Sequence, residues 1–286
     1  MKNIKFFSPE TIPEILELLD NYREKAVIVN GGTDIVEKIA KGAVEPEIII
    51  YIQNVKELKE IYAGSGYISI GGAATYAEVL AASGCMQFSA LRKAILWCGS
   101  PPIRAVGTPA GNIGTAAPAA DSNVALVALG AEIVLAGKET ERVIAAKDMF
   151  IAPGRTQRQP NELIKEIRIP AIKPGTGSDF LKLAKRKAQD IAQVSAAVCL
   201  SIDGDIIADI SIALGAVAPA TVKAYSFEAL ALGKTARAAS AAVKEAIPAE
   251  ASLRSPRNKE YKEAVMCVLA ARAIMSAFKD AGGEER

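Results

Sequence analysis

Two stretches rich in glycine and hydroxyl side chains are the parts of this sequence best suited to bind a ligand. The first reads VNGGTD, residues 29–34, and the second reads RAVGTPAGNIGTAAPAAD, residues 104–121. Glycine has no Cβ, so its backbone can approach another molecule closely. Consecutive backbone N–H groups with hydroxyls beside them suit an oxyanion such as a phosphate. Taken alone, the second stretch fits a tight loop equally well, and the first fits a turn capped by Thr33 or Asp34.

The remaining side chains exclude several kinds of catalysis. The chain has no histidine, which excludes Ser-His-Asp and Cys-His nucleophiles and histidine-ligated metals. Its cysteines, at positions 85, 98, 199 and 267, have neither zinc-site nor iron–sulfur spacing. If the protein is an enzyme, we therefore expect its reactivity to come from an organic cofactor.

Length and composition indicate a globular protein with one large or two modest domains. The chain has 286 residues, of which 50% are hydrophobic and 23% charged, and its formal net charge is +2. So small a charge predicts no strong attraction to nucleic acid or membrane. We find no signal peptide and no apolar run long enough to span a bilayer, and so expect a cytoplasmic protein with reduced thiols.

The elements that hold the first stretch form an α/β unit. Helical periodicity over residues 9–24 is followed by a strand at Ala26–Val29, a helix from Ile35 to about Lys41, and a strand at residues 47–52. This predicts the order α–β–α–β. The Gly-Gly turn then lies at the carboxyl end of a strand, where open α/β sheets bind ligands.

The second stretch lies between a helical region and a series of strands. A capping box, Thr75 with Glu78, predicts a helix start, and the helix over residues 87–97 is expected to end at Pro101-Pro102. Residues 123–130 read as a buried helix or strand. Further strands are predicted at residues 60–63, 67–70, 131–136, 141–144, 162–169, 179–185, 194–202 and 206–217, and helices at 225–232, 236–247 and 259–279.

Two common nucleotide-binding motifs are absent. Gly233-Lys234-Thr235 resembles the end of a P-loop, but the required leading glycine is replaced by Glu228. No GxGxxG follows a strand, so an ordinary dinucleotide-binding fold is not indicated. Two phosphate-suited turns in one chain do, however, provide the donors that a diphosphate cofactor needs.

The two stretches together resemble the two FAD-binding signatures of the flavoprotein subunit of molybdenum hydroxylases, the family of the xanthine, carbon monoxide and nicotinate dehydrogenases. Two further segments are similar to family motifs: FLKLAKRKAQDIAQV, residues 180–194, and SLRSPRNKEY, residues 252–261. The resemblance covers essentially the whole chain in order.

The resemblance implies an α+β fold. A two-subdomain FAD-binding region of the vanillyl-alcohol-oxidase/PCMH type is expected at residues 1–172, with subdomains at about 1–55 and 56–172. A small α+β C-terminal domain is expected at residues 178–286. The segment between them, AIKPGTGS, has the proline and glycine content of a domain boundary.

The resemblance also implies which residues bind the cofactor, while no residue of this chain is expected to be an acid/base catalyst or a metal ligand. Ile164 corresponds to an aliphatic side chain on the isoalloxazine, and Lys182 to a lysine near the flavin that would stabilise its reduced, anionic form. The diphosphate, ribityl and adenosine parts would be held by Val29, Asn30, Gly31, Gly32, Thr33, Asp34, Thr108, Gly111, Asn112, Thr115 and Asp121.

Three departures from the family pattern affect the second signature. Ala110 replaces the first glycine of a usual Gly-Gly pair, and Ala105 replaces a usual asparagine. Where some relatives have an aromatic ring beside the flavin, this chain has Trp97-Cys98-Gly99.

The implied function is electron transfer by bound FAD. Electrons would come from [2Fe-2S] clusters of a small partner subunit, which receives them from a large molybdopterin-binding subunit in a heterotrimer. They would pass to an external acceptor, NAD or a ferredoxin. Two alternatives are a stand-alone FAD-dependent oxidase or reductase, which would purify without partners, and a non-catalytic assembly factor, which the intact glycines argue against.

Overall fold

Three β-sheets in chain order carry the fold in the computed structural model, which describes residues 4–253 and 258–284. Part of the SLRSPRNKEY motif, residues 254–257, therefore lies outside the described residues. Each sheet has its own hydrophobic core, but the middle core also contains Phe180, Ala197 and Ala213 of the third sheet. The fold is α+β, as predicted.

The first sheet is parallel, with strand order β1-β3-β2. Thr11 caps its first helix by accepting a hydrogen bond from the Glu14 N–H. The elements are β1 (Lys5–Phe7), α1 (Ile12–Tyr22), β2 (Ala26–Val29), α2 (Ile35–Ala40) and β3 (Ile48–Tyr51). The predicted order lacked β1. Its three residues show no apolar alternation, and they form a strand because they pair with β3, Lys5 opposite Ile48.

The second sheet is antiparallel, with strand order β4-β5-β10-β6-β7. Its strands are β4 (Ile61–Ala63), β5 (Tyr67–Gly71), β6 (Glu132–Ala136), β7 (Glu141–Ala145) and, after a small hairpin of β8 (Phe150–Ala152) and β9 (Arg155–Thr156), β10 (Leu163–Pro170). Five helices connect β5 to β6: α3 (Tyr76–Ala81), α4 (Ser89–Trp97), α5 (Pro101–Val106), α6 (Pro109–Thr115) and α7 (Asp121–Ala128). The predicted capping box of Thr75 and Glu78 is present.

The second glycine-rich stretch is more helical than predicted. Pro101 begins α5 rather than ending the preceding helix, because proline needs no hydrogen-bond partner at the first position of a helix. Thr108 then caps α6 by accepting a hydrogen bond from the Gly111 N–H at 2.9 Å. Asp121 begins α7, so the ambiguous segment at residues 123–130 is mainly helix, and all eight residues of α7 are buried.

The third sheet is antiparallel and covered on both faces. It consists of β11 (Thr176–Leu183), β12 (Val194–Asp203), β13 (Ile206–Gly215) and β14 (Val222–Lys223), followed by α8 (Tyr225–Ala231), α9 (Ala236–Lys244) and α10 (Lys259–Asp280). Helix α10 packs on β11 and β12, while α4 and α7 pack against β11–β13. At Gly215 an added Cβ would lie 2.5 Å from Val124 Cγ2, so α7 approaches β13 too closely for a side chain there.

Polar contacts also connect α4 with the third sheet. The Ala90 N–H donates to Ser178 Oγ at 3.1 Å, and Ser89 Oγ donates to Asp280 at 2.9 Å. Lys93 forms an ion pair with Asp179, whose side chain is almost fully buried. No helix within the described ranges has both the length and the apolar character that a bilayer crossing requires.

Candidate functional site

A cleft of about 540 Å³ runs between the first two sheets and reaches the loop between β11 and β12. The turn between β2 and α2 forms one wall, and residues 107–120 form the opposite wall. Residues from 154 to 164 contribute further surface, and Ile191 extends into the cleft from the loop between β11 and β12. Segments from very distant parts of the chain therefore line one cavity.

The Gly-Gly turn is shaped by backbone contact rather than by side chains. A Cβ on Gly31 would lie 1.9 Å from the Val106 carbonyl oxygen, so only glycine allows these two walls to meet. Gly32 has φ of +71°, a left-handed conformation that glycine adopts readily. Among the described residues, no carbonyl accepts a hydrogen bond from the N–H groups of residues 31–34.

Asn30 fixes the position of this turn against the opposite wall. Its side-chain amide donates to the Gly72 carbonyl at 2.7 Å and to Thr108 Oγ1 at 2.8 Å. Its own oxygen accepts a hydrogen bond from Gln53, which also donates to the Ala73 carbonyl at 3.0 Å. Because every hydrogen-bonding group of the amide is used within the protein, Asn30 acts as a brace between the two walls.

Asp34 forms a second connection between the walls. Thr115 Oγ1 donates to its carboxylate at 3.2 Å, and Lys38 pairs with the same oxygen at 2.6 Å. Asp34 is the N-cap residue of α2, yet its side chain makes no capping hydrogen bond because it faces Thr115 and Lys38 instead.

Asn112 belongs to a hydrogen-bonded chain that leads from the cleft into the core. Ser122 Oγ donates to Asn112 Oδ1 at 2.9 Å. Tyr76 Oη lies 3.0 Å from the same Ser122 Oγ. Since a hydroxyl has one proton to donate, the tyrosine is the donor in this second contact. Tyr76 and Asn112 both line the cleft.

Ten of the thirteen predicted cofactor-binding residues line the cleft. Most of those from the second signature lie on or next to α6. The ten are Asn30, Gly31, Gly32, Thr33, Asp34, Thr108, Gly111, Asn112, Thr115 and Ile164. Val29 is buried in β2 beneath the turn and is absent from the lining, as are Asp121 and Lys182.

Asp121 and Lys182 instead pair with each other. Lys182 Nζ lies 2.6 Å from Asp121 Oδ2. The Lys182 side chain is 2% exposed and the Asp121 side chain is 6% exposed. The ammonium also lies 5.7 Å from the centre of the Trp97 ring, within cation–π range. Burial raises the pKa of Asp121 to about 6, against the lowering effect of Lys182.

Several cleft residues were not identified from the sequence. Lys38 and Arg158 bring positive charge to the lining, and burial lowers the pKa of the Arg158 guanidinium. The basic composition of residues 153–160 was the available signal for Arg158. Gly72 also lines the cleft, and a Cβ there would lie 2.1 Å from the Ile164 carbonyl oxygen. The only sequence signal for Gly72 was its glycine-rich segment, and the only signal for Ile191 was its place in a family-like segment.

The lining fits an elongated ligand that carries a diphosphate. The unpartnered N–H groups of residues 31–34 and the cations of Lys38 and Arg158 are suited to phosphate oxygens. Val27, Ile28 and Ile164 supply apolar surface suited to flat rings. Ala110, at the position of a family glycine, lines the cleft and is 5% exposed, and its methyl group is accommodated there.

Comparison with known proteins identifies relatives over the whole chain. Residues 2–172 match the family model described as the FAD binding domain in molybdopterin dehydrogenase, and residues 179–277 match the CO dehydrogenase flavoprotein C-terminal domain. The carbon monoxide dehydrogenase medium chain of Hydrogenophaga pseudoflava is 31% identical, over 96% of each chain. The nicotinate dehydrogenase FAD-subunit of Eubacterium barkeri is 32% identical, over 71% of this chain and 70% of its own length.

The fold agrees with a solved structure of the same kind. A chain of the reconstituted CO dehydrogenase from Oligotropha carboxidovorans superposes with a TM-score of 0.90, at 28% identity, over 97% of this chain and 98% of that chain.

Proposed function

The chain belongs to the family of FAD-binding subunits of molybdenum hydroxylases, with FAD as its cofactor, and on this premise we propose that it relays electrons between a partner subunit and an external acceptor. The observation that carries the proposal is the cleft itself: both glycine-rich stretches line it, and the N–H groups of residues 31–34 in its first wall donate to no carbonyl among the described residues. When bound, FAD supplies the redox chemistry, since it accepts electrons singly or in pairs.

Each wall of the cleft would hold a different part of the cofactor. Backbone N–H groups of Gly31, Gly32, Thr33 and Asp34 would donate to the diphosphate, with Arg158 and Lys38 neutralising its charge. Thr108, Gly111, Asn112 and Thr115 would hold the opposite side, and Ile164 would pack on the isoalloxazine. Asn30 and Asp34 keep the two walls at a fixed separation through their contacts with Thr108 and Thr115.

Lys182, Asp121 and Val29 would act from behind the lining. Val29 is buried at the end of β2, directly before the Gly-Gly turn, and so would help to fix the position of that turn. The Lys182 ammonium is held by Asp121 at 2.6 Å, and the carboxylate offsets much of the positive charge that would favour negative charge in the cleft. No side chain of the lining is proposed as an acid/base catalyst, because the hydroxylation would take place on another subunit.

We further propose three kinds of partner. A small subunit with [2Fe-2S] clusters would deliver electrons, a large molybdopterin-binding subunit would generate them, and NAD or a ferredoxin would remove them. The family relationship supports this arrangement, since one relative is a medium chain and another an FAD-subunit by name. We also propose that the described sheets correspond to an FAD-binding region at residues 1–172 and a C-terminal domain at 178–286.

Purification of the tagged chain from its native cells tests the relay. We expect about one FAD per chain, together with molybdenum, iron and two further polypeptides, because a relay needs both a donor and a source of electrons. Addition of NAD⁺ or an oxidised ferredoxin to the reduced complex should restore the oxidised flavin spectrum. Retention of FAD without partners would instead indicate a stand-alone oxidase or reductase, and a folded chain without FAD would contradict the proposal altogether.

A further inference from the structure

The buried ion pair of Asp121 and Lys182 leaves one carboxylate oxygen without a hydrogen bond. Asp121 Oδ2 accepts from Lys182 Nζ at 2.6 Å, whereas Oδ1 is buried and has no partner among the described residues. A buried, negatively charged acceptor without a donor is unfavourable, and a proton bound to that oxygen would remove the charge.

The groups that face Asp121 from neighbouring elements are Lys182 on β11, Cys98 after α4 and Tyr76 on α3. Burial raises the pKa of Cys98 to about 12 and that of Tyr76 well above its usual value, so both are neutral near neutral pH. The cluster therefore contains one negative and one positive charge, and its net charge is zero while Asp121 is ionised.

The pair lies directly behind the wall of the cleft. Ala120, the residue before Asp121, lines the cleft. Ser122, the residue after it, is hydrogen-bonded to Asn112 and lies within hydrogen-bond distance of Tyr76, and both of these line the cleft. A negative charge that develops in the cleft would therefore act on Asp121 through buried protein rather than through bulk water, where charges interact more weakly.

We propose that Asp121 takes up a proton when the cofactor in the cleft is reduced. The inference rests on the proposed function, because it requires FAD to occupy this cleft. Reduction of bound FAD by two electrons from a reductant, with one proton taken up from solvent by the flavin, would add one negative charge to the cleft. One proton leaves solvent water and forms an O–H bond at Asp121 Oδ1, while the hydrogen bond from Lys182 to Oδ2 remains.

The required change in proton affinity is small. Because burial already raises the pKa of Asp121 to about 6, an increase of one to two units suffices for protonation near neutral pH. By Coulomb's law, one added negative charge would raise the pKa by about one unit at a separation of about 10 Å and an effective dielectric constant of about 20. The helix N-terminus at Asp121 acts in the opposite direction, since it favours the ionised form before reduction.

Infrared difference spectroscopy of the FAD-loaded protein tests this step directly. The protein is reduced with dithionite, in H₂O and in D₂O, at a pH of about 7.5, above the pKa of the oxidised state. We expect a new carbonyl stretch of a protonated carboxyl group on reduction, shifted in D₂O and absent from Asp121→Asn. Asp179→Asn is the matched control, because Asp179 is also buried, paired with a lysine and has an unpartnered oxygen; it should keep the band.

A second variant keeps the test decisive if Asp121→Asn fails to fold. Lys182→Gln removes the opposing cation, so the carboxyl group should be protonated before reduction, and the difference band should disappear although Asp121 remains. A wild-type protein that contains FAD but shows no such band, or a band that Lys182→Gln leaves unchanged, overturns the inference alone. A wild-type protein without FAD contradicts the proposed function itself, and its flavin absorption distinguishes the two failures.

Discussion

Gly31 is the residue at which the two walls of the cleft meet, and an alanine there should displace one of them. Its added Cβ would lie 1.9 Å from the Val106 carbonyl oxygen, and backbone cannot move away as a flexible side chain can. We expect Gly31→Ala to weaken FAD binding at least about fivefold, since overpacking of this kind costs about 1–3 kcal/mol. The FAD dissociation constant, measured by recovery of free-flavin fluorescence, checks this.

Gly114→Ala is the matched control. Gly114 also lines the cleft, but its added Cβ would meet only Ile164 Cδ1, at 3.9 Å, an ordinary contact. Alanine at this position should change FAD affinity by less than about twofold, which corresponds to about 0.4 kcal/mol. Equal weakening by both substitutions would show that the contact with Val106 does not shape the site.

Asp121 should make stability depend on pH with a sign opposite to that of most carboxylates. Its pKa is raised from 3.8 to about 6 by burial, so the folded state binds the proton more tightly than the unfolded state. The stabilisation from the protonated group is present below a pH of about 4 and is lost as the pH rises towards 6. As the pH rises from about 4 to about 6, the free energy of unfolding of FAD-free Asp121→Asn should therefore increase relative to that of wild type. Urea unfolding at several pH values measures this difference.

Asp190→Asn provides a control of opposite sign. Backbone N–H groups of Arg186 and Ile191 donate to Asp190 and lower its pKa. Wild type should lose this stabilisation as the pH falls, so the variant should become less stable relative to wild type as the pH rises through the acidic range. A parallel trend in both variants would contradict the assignment for Asp121.

At the scale of elements, helix α4 is joined to β11 by an ion pair in which the carboxylate is buried and the ammonium is exposed. Lys93 is 49% exposed, whereas Asp179 is 1% exposed. Lys93→Met should destabilise the protein by about 1–3 kcal/mol, because it leaves a buried carboxylate without its partner. Adding Asp179→Asn should recover part of that loss, because it removes the uncompensated charge.

Chemical denaturation of the single and double variants measures this coupling. The double variant should be more stable than Lys93→Met alone. If the two substitutions destabilise additively, the pair contributes nothing specific to the contact between α4 and β11.

Most elements were predictable because their signals are local. The capping box of Thr75 and Glu78, for example, corresponds to a structure that forms within a few residues. Strand β1 was not predictable because only its pairing with β3 makes Lys5–Phe7 a strand. Pro101 was assigned to a helix end, although proline is equally favourable at a helix start; the structure has the start.

The site was predictable where the residues are consecutive in sequence. The turn at residues 30–34 lines the cleft, as do Thr108, Gly111, Asn112 and Thr115 of the second signature, whereas Asp121 does not. Lys38, Arg158 and Ile191 could not be identified, because nothing local shows that three separate segments meet at one cavity. The pairing of Asp121 with Lys182 was equally hidden, since 61 positions separate the two residues.

At the scale of the whole molecule, the C-terminal region should not fold well alone. One face of its sheet is covered by its own α8 and α10, but the other is covered by α4 and α7. A fragment of residues 176–286 would expose the apolar side chains of β12 and β13 that contact those helices. We expect it to aggregate or to bind the dye ANS, whereas the full chain should not.

Co-expression of residues 1–172 with this fragment is the matched control. The two pieces should associate and become soluble, because each supplies the surface that the other lacks. A monomeric, cooperatively folded fragment with no dye binding would show that the sheet does not need α4 and α7.

The hydrogen bond from the Ala216 N–H to the Pro118 carbonyl, 2.8 Å long, joins the second glycine-rich stretch to the end of β13 in the C-terminal sheet. Binding of FAD in the cleft should therefore also stabilise the C-terminal region against unfolding. At a free FAD concentration 100 times the dissociation constant, binding stabilises the folded chain by about 2.7 kcal/mol. Helix α10 does not line the cleft, yet its amide hydrogens should exchange more slowly with solvent as FAD is added. The exchange rate of this helix would then report how much of the protein has bound FAD.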